Sequence, residues 1–411
     1  MNAEPEDTTA PGPAERRRWL TAPVAGIGVA SLLSDLGHEV PTSLLPTFLN
    51  STLGAPAAAL GVIEGFADGI AGAAKLAGGA LADDPGRRRT VAVGGYTTTA
   101  ITSSLIGAAV AVWQVAVLRV VAWAARGIRN PSRNALLADA TSPEAYGRAF
   151  GFERGMDNLG AIGGPLLALL LVALLSVRTA ILLSIIPGLG AAVAIFYAAR
   201  HIPRKDSGER RRVRLVVRPL LKGSMGHLLL GVSAFEAGNI AATLMILRSN
   251  QLLGTTHPSG KGPVVVSLGL YTVYNVVATV TSMLAGHASD RAGAPWVLRA
   301  GVATFAVSYL VFALTGPNVW LLAAAFVLSG IGIGCVETGE HAAVAAVAPE
   351  RIRGSAFGLL AASQSFGNLA ASGVAGILWT VFSAKVAFLY ITAWMLVSLV
   401  TLPGRLRPIE G

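Results

Sequence analysis

Long stretches of this chain contain no Asp, Glu, Lys or Arg, among them residues 90–118, 158–177, 179–199, 262–286, 300–336, 354–384 and 386–404. Each is long enough to cross a hydrocarbon layer of about 30 Å, which takes about 20 helical residues. Residues 90–118 and 300–336 run past one span into the next. Only 13% of the residues are charged and 53% are apolar, whereas an average soluble domain is about a quarter charged. With a mean hydropathy of +0.61, hydrocarbon is the main solvent. The 48 glycines suit closely packed membrane helices better than a soluble core. Disorder, a coiled coil and a disulfide scaffold are excluded, the last because Cys335 is the single cysteine.

The net charge of +10 by itself suggests a nucleic-acid partner, but its placement argues against one. The basic residues sit at alternate breaks between spans, the pattern that orients membrane proteins. Hydropathy and the Gly, Pro and charge breaks predict twelve spans, at 20–49, 56–82, 90–110, 113–136, 146–175, 179–199, 224–249, 262–287, 297–315, 319–346, 353–381 and 386–404. The apolar run after Arg16, Arg17 and Arg18 contains Asp35, His38 and Glu39 and has no small-residue cleavage site. It therefore reads as the first helix and not as a signal peptide.

The expected organisation is a disordered tail (1–19), a six-helix bundle (20–200), a basic linker (201–222), a second six-helix bundle (223–406) and a short tail (407–411). The outer side carries only Arg178, Arg248, Lys261 and Lys385. The positive-inside rule then puts both termini in the cytoplasm of a multi-pass protein of a bacterial plasma or inner membrane.

The halves repeat at an offset of 207 residues: Gly79 with Gly286, Asp83 with Asp290, Gly86 with Gly293, Gly127 with Gly334, Gly147 with Gly354, and Ala149-Phe150-Gly151 with Ala356-Phe357-Gly358. Such a set in one register is a duplication signal. The loop after the second span runs from Gly79 through Asp83, Asp84 and Gly86 to Arg87-Arg88, and its second copy reads Gly286, Asp290, Arg291, Gly293. This resembles the loop signature of the major facilitator superfamily, with Asp84 standing where that family usually has a basic residue. Arg119 with Gly127, and Gly151, Gly160 and Gly164-Pro165 in span 5, are similar to its span-4 and antiporter motifs, though the closing glycine pair of the latter is absent. The resemblance covers nearly the whole chain. It implies an all-α fold of twelve transmembrane helices in two six-helix pseudo-repeat bundles, and a tilt toward export.

Read physically, Gly79, Asp83, Gly86, Arg87, Arg88, Asp139, Gly286, Asp290 and Arg291 form a gate. The glycines let helices meet closely, the aspartates cap a helix N-terminus of the opposite half, and Arg87 and Arg88 pair with Asp139. Asp35, His38 and Glu39 share one face of span 1, and Glu64 and Asp68 one face of span 2. Charged groups at that depth are costly, so these five are the proton-coupling candidates. Lys75 lies two turns from Asp68. Arg119 is expected in the solute cavity with Glu236, Asn239, Gln364 and Asn368. Arg126, Arg129 and Arg133 read as interfacial anchors that snorkel toward headgroups, and Glu153, Arg154 and Asp157 as ion-pair partners of that stripe. Glu340, at the position of Arg133 in the repeat, would attract it across the halves.

No phosphate-binding loop and no zinc spacing occur, and no cofactor is expected. The conclusion is a secondary active transporter and not an enzyme, a monomer moving a small organic solute or drug by proton-coupled export. The alternatives are an uptake symporter for an organic anion or siderophore-like solute, a non-transporting sensor, and an intramembrane enzyme built on Ser34 and His38.

Overall fold

Ten of the twelve predicted spans fold as single helices and two are broken. The computed structural model describes residues 19–55, 57–203, 215–254 and 262–404; most of the N-terminal tail, residues 204–214 of the linker, Lys261 and the C-terminal tail lie outside them. The helices are α1 (Ala22–Thr47), α2 (Ala57–Ala82), α3 (Pro85–Leu105), α4 (Val112–Asp139) and α5 (Tyr146–Leu174). The sixth span comprises α6 (Val177–Leu183) and α7 (Ile185–Arg200), the seventh α8 (Gly223–Glu236) and α9 (Ala242–Gly254). Then follow α10 (Gly262–Ala292), α11 (Ala294–Leu314), α12 (Val319–Val347), α13 (Arg353–Val381) and α14 (Ala384–Thr401).

Local chemistry sets the helix ends. Asp84 caps α3 by accepting from Gly86 N at 3.0 Å, with Pro85 in the first turn. Asn318 caps α12 through Trp320 N and Leu321 N. Pro41 and Pro46 interrupt the ladder of α1, which ends in a π-turn over Phe48–Thr52. Pro187 cannot donate to Leu183, and the sixth span breaks just there, at Ser184, whose hydroxyl turns back to Ile181 O at 2.7 Å.

In the first bundle α1 packs on α5 and α7, and α4 on α2 and α3; in the second, α12 packs on α10 and α11, and α14 on α11 and α8. The bundles meet along two seams, α5 with α10 and α2 with α13. Glycines make those seams. A Cβ on Gly79 would lie 2.8 Å from Gly354 O and 2.9 Å from Gly358 Cα, and one on Gly147 only 2.4 Å from Gly286 O. The repeat-related glycines thus touch one another's partners, which is the contact a two-fold relation between halves produces.

Large apolar side chains cover the outside, including Val193, Leu169, Trp320 (81% exposed) and Val400 (83%). That is a surface for lipid and not for water. Six described stretches are long and apolar enough to cross a membrane by composition alone, in α5, the α6–α7 span, α10, α11, α12 and α14. Among the remaining helices, α1, α2, α4, α8 and α13 supply most of the polar interior described below.

Candidate functional site

An open cavity of about 700 Å³ lies between the halves. His38 and Glu39 of α1, Asp68 and Lys75 of α2, Trp123 and Arg126 of α4, and Arg154 and Asp157 of α5 line one wall. Glu236 and Asn239 of the seventh span, Glu337 of α12, and Gln364, Ser365, Phe366 and Asn368 of α13 line the other.

The cavity is closed at the end that carries the doubled loop. Asp83 accepts from Ser355 N at 2.8 Å and from the Ser355 hydroxyl, at the N-terminus of α13. Asp290 accepts from Gly147 N at 2.6 Å and Arg148 N at 3.2 Å, at the N-terminus of α5, and pairs with Arg148 Nε at 2.5 Å. Both aspartates therefore cap a helix of the opposite half, as the repeat predicts. Arg88, fully buried, donates to Asp139 at 2.5 Å, to Ala82 O and to Glu350 O. Arg353 adds a contact to Asp139 at 3.6 Å.

Arg87 departs from its expected role and pairs with Asp84 at 3.1 Å inside its own loop. Arg291 is exposed and has no partner among the described residues. Ser355 and Arg148 escaped sequence reading, yet they sit 207 residues apart, so the repeat that matched the aspartates also matches the donors they accept from.

Away from the loops the halves separate. Along α2, Gly72 meets Phe366 and Ser365 of α13, whereas nothing lies within 4 Å of a Cβ on Gly69 or Gly65. Along α5, Gly155 still meets Met283 and Thr279 of α10, but the nearest atoms to Gly160 and Gly164 belong to α1.

Burial pushes the Asp83 carboxyl above its ordinary value, against the opposing pull of the Ser355 bonds and of Arg88. The closed form then holds this proton more tightly than an open, solvated form, so closure gains as pH falls toward the Asp83 titration. Acidifying the loop side is expected to lower labelling of a cysteine buried in the seam. The same pH response in Asp83→Asn, which cannot titrate, would refute this assignment.

The first-half wall is a network of matched charges. Asp35 is paired with Arg126 at 3.2 Å and lies 3.4 Å from His38 Nδ1. His38 also touches Arg126, and its Nε2 is 3.3 Å from Glu39, whose side chain is 26% exposed to the cavity. The ring of His38 reaches the carbonyl of Ser34, while the Ser34 hydroxyl accepts from Arg129 at 2.6 Å, so no nucleophile–base pair is assembled there.

Glu64 pairs with Arg119 at 2.9 Å, and Arg119 also donates to Thr42 and stacks 3.5 Å over Trp123. Arg119 is 1% exposed and stands behind Trp123, so it is a buried partner of Glu64 and not a cavity residue. Asp68 accepts from Trp123 Nε1 at 2.8 Å. Lys75 crosses instead to the other half, donating to Ser365 Oγ at 2.5 Å.

The arginine stripe of α4 is also not interfacial. Arg129 lies over Tyr96 at 3.8 Å, and Arg133 bonds Ser31 and pairs with Glu153 at 2.8 Å and Asp157 at 3.6 Å. Both arginines are buried. Their guanidinium groups meet hydroxyls, an aromatic ring and acids of α1, α3 and α5, which satisfy the charge more completely than headgroups would. Nor does Glu340 reach Arg133: it accepts from Gln364 in its own half and lies 3.7 Å from His341.

The second-half wall is built on the broken seventh span. Between α8 and α9 the backbone leaves the helix at 237–241, and α13 satisfies it. Asn368 donates to Asn239 O at 2.8 Å, and Ser372 Oγ accepts from Ala241 N at 2.9 Å. Irregular backbone at membrane depth is tolerated where protein or a cavity surrounds it, and in transporters such breaks mark the binding region. Glu236 ends α8 there, 3% exposed, accepting from Asn239 at 3.0 Å. Among the described residues no group of three or more His, Cys, Asp or Glu is placed to hold a metal ion.

Two of the relatives that match this chain do so over most of its length. An uncharacterised MFS-type transporter of Methanocaldococcus jannaschii is 26% identical over 92% of this chain and 93% of its own. An uncharacterised protein of Mycobacterium tuberculosis is 28% identical over 87% and 86%. Among solved structures, a bacterial homologue of the iron transporter ferroportin in an outward-facing state superposes with TM-score 0.75 at 16% identity, covering 92% of this chain and 98% of that one. The human organic anion transporter TETRAN gives 0.73 at 16% identity over 96% and 100%, and a proton:xylose symporter gives 0.68 at 14% over 93% and 94%. The Major Facilitator Superfamily pattern itself matches residues 27–268 and again 228–410. Two latched six-helix halves around a polar cavity, and a family match that spans both, establish that the chain belongs to the Major Facilitator Superfamily of membrane transporters.

Proposed function

We propose that this transporter exports a small organic solute from a bacterial cytoplasm in exchange for protons, by alternating access to the central cavity. The observation that carries this is the cavity itself: latched at the loop end, open at the other, and lined by titratable side chains of both halves. The basic count puts the loop end in the cytoplasm, so the described conformation is outward-facing. Glu39, exposed to the cavity and joined through His38 to Asp35, is the entry point for the proton. Arg126 pairs with Asp35 and His38 with Glu39, so gain or loss of one proton changes the net charge of the wall that faces the solute.

A second reading, uptake of an organic anion, draws on Lys75, Arg126 and Arg154 in the lining and on the fold shared with an organic anion transporter. The test is a proteoliposome assay with an internal pH-sensitive dye, an imposed pH gradient, and a panel of organic cations, anions and neutral solutes. Solute-dependent proton flux opposite in direction to solute movement is expected. Glu39→Gln should abolish gradient-driven accumulation while downhill exchange persists. Proton and solute moving together would establish uptake instead. Full coupling in both Asp35→Asn and Glu39→Gln would remove this relay from the mechanism.

A further inference from the structure

We infer that the cavity seats the ammonium group of an organic cation against the wall made by α8, α12 and α13. This deepens the proposed function, since it rests on the cavity being the solute site. The wall turns its hydrogen-bond acceptors inward. Asn239 spends its NH₂ group on Glu236 at 3.0 Å, Asn368 on Asn239 O at 2.8 Å, and Gln364 on Glu340. Each partner is a carboxylate or carbonyl oxygen, an acceptor, so chemistry fixes which end of each amide is nitrogen. The three amide oxygens remain as acceptors for a solute, beside the second N–H of each amide.

Two carboxylates complete the wall. The Glu236 side chain is more than nine-tenths buried; Asn239 holds its Oε2, and its Oε1 has no partner among the described residues. Glu337 lines the cavity and its carboxylate has no hydrogen bond or ion pair among them. No Arg, Lys or His of this wall lines the cavity. A buried carboxylate without a countercharge is costly, and an ammonium brings both the charge and the N–H donors that these acceptors lack.

Cations on the facing wall act on these carboxylates only from beyond ion-pair distance. Arg126 is held by Asp35, and Arg154 by Glu153 and Asp157. Lys75 alone is uncommitted to an acid, and its ammonium already rests on Ser365 of α13. The fold thus presents one primary amine to this wall, while neither Glu236 nor Glu337 has a cation in ion-pair contact among the described residues. Phe366, 46% exposed, offers an apolar face for the carbon body of the solute.

The test measures thermal stability of the purified full-length protein in detergent against hexylammonium, hexanoate, hexan-1-ol and Mn²⁺, probes that separate charge from chain length. Hexylammonium alone is expected to raise Tm with concentration. Glu236→Gln and Glu337→Gln should each weaken its apparent affinity at least about tenfold, the loss expected for a charged hydrogen bond. Should Glu236→Gln fail to fold, Glu337→Gln and the wild-type series still decide. Equal stabilisation by hexanoate, stabilisation by Mn²⁺ without the amine, or an amine effect unchanged in both variants would overturn the inference. Because the assay uses no gradient, amine binding without proton-driven flux would defeat the coupling proposal and leave the cation seat standing.

Discussion

Asp83→Ala is expected to open the loop end of the transporter, whereas Asp84→Ala leaves it closed. Asp83 holds the N-terminus of α13 through Ser355 N and Oγ, contacts that cross between the halves and exist only when they meet. Asp84 bonds Gly86 and Arg87 of its own loop, contacts that survive opening. Losing two hydrogen bonds to a helix N-terminus costs about 2–3 kcal/mol, a shift of roughly 30- to 150-fold in the closed-to-open ratio. Asp290→Ala should act likewise at the α5–α10 seam, where it releases Gly147, Arg148 N and the Arg148 side chain. The two latches share no partner, so their effects should add in the double variant. Ser289→Cys, in a background lacking Cys335, places a thiol at this seam, where Ser289 is buried against Gly147. Its labelling from the loop side should rise in Asp83→Ala and Asp290→Ala and stay low in Asp84→Ala. Equal labelling of wild type and Asp83→Ala would show that Asp83 does not hold the gate.

The latches were legible because they lie on the repeat. A fixed offset relates both the aspartates and the positions they cap, and helix N-termini accept carboxylates in any fold. The span count was legible for another reason, since hydrocarbon thickness dictates segment length. Which face of a helix meets a neighbour is not encoded by length or by spacing along one helix. Arg126, Arg129 and Arg133 form a stripe that reads equally as a lipid-facing anchor or as a buried seam; the Ser31, Ser34 and Glu153 that decide between them lie on α1 and α5. Arg119 failed in the same way, because depth was inferred from sequence while Glu64 and Trp123 enclose it. The break after Glu236 had a local signal in Gly238 and Asn239. Its stability comes from Asn368 and Ser372, about 130 residues away in sequence, which no window around the break contains.

Glu153→Ala is expected to destabilise the first bundle by about 3–5 kcal/mol, the range for removing one partner of a buried ion pair. Glu153 is fully buried and joins three elements: it accepts from Ser31 at 2.6 Å on α1, pairs with Arg133 at 2.8 Å on α4, and with Arg154 at 2.8 Å on its own helix. Without it Arg133 keeps Asp157 at 3.6 Å and two neutral partners, Ser31 and Asn134, so a buried guanidinium is left under-compensated. Most of the expected loss is that residual charge and not the missing contact. Removing the charge as well should therefore recover stability: Glu153→Leu combined with Arg133→Met is expected to be markedly more stable than Glu153→Ala alone. Thermal unfolding of the purified protein in detergent, followed by loss of monodisperse protein, measures both. If the double variant unfolds no later than Glu153→Ala, the cluster acts through packing and hydrogen-bond geometry, and uncompensated charge is not what its loss exposes.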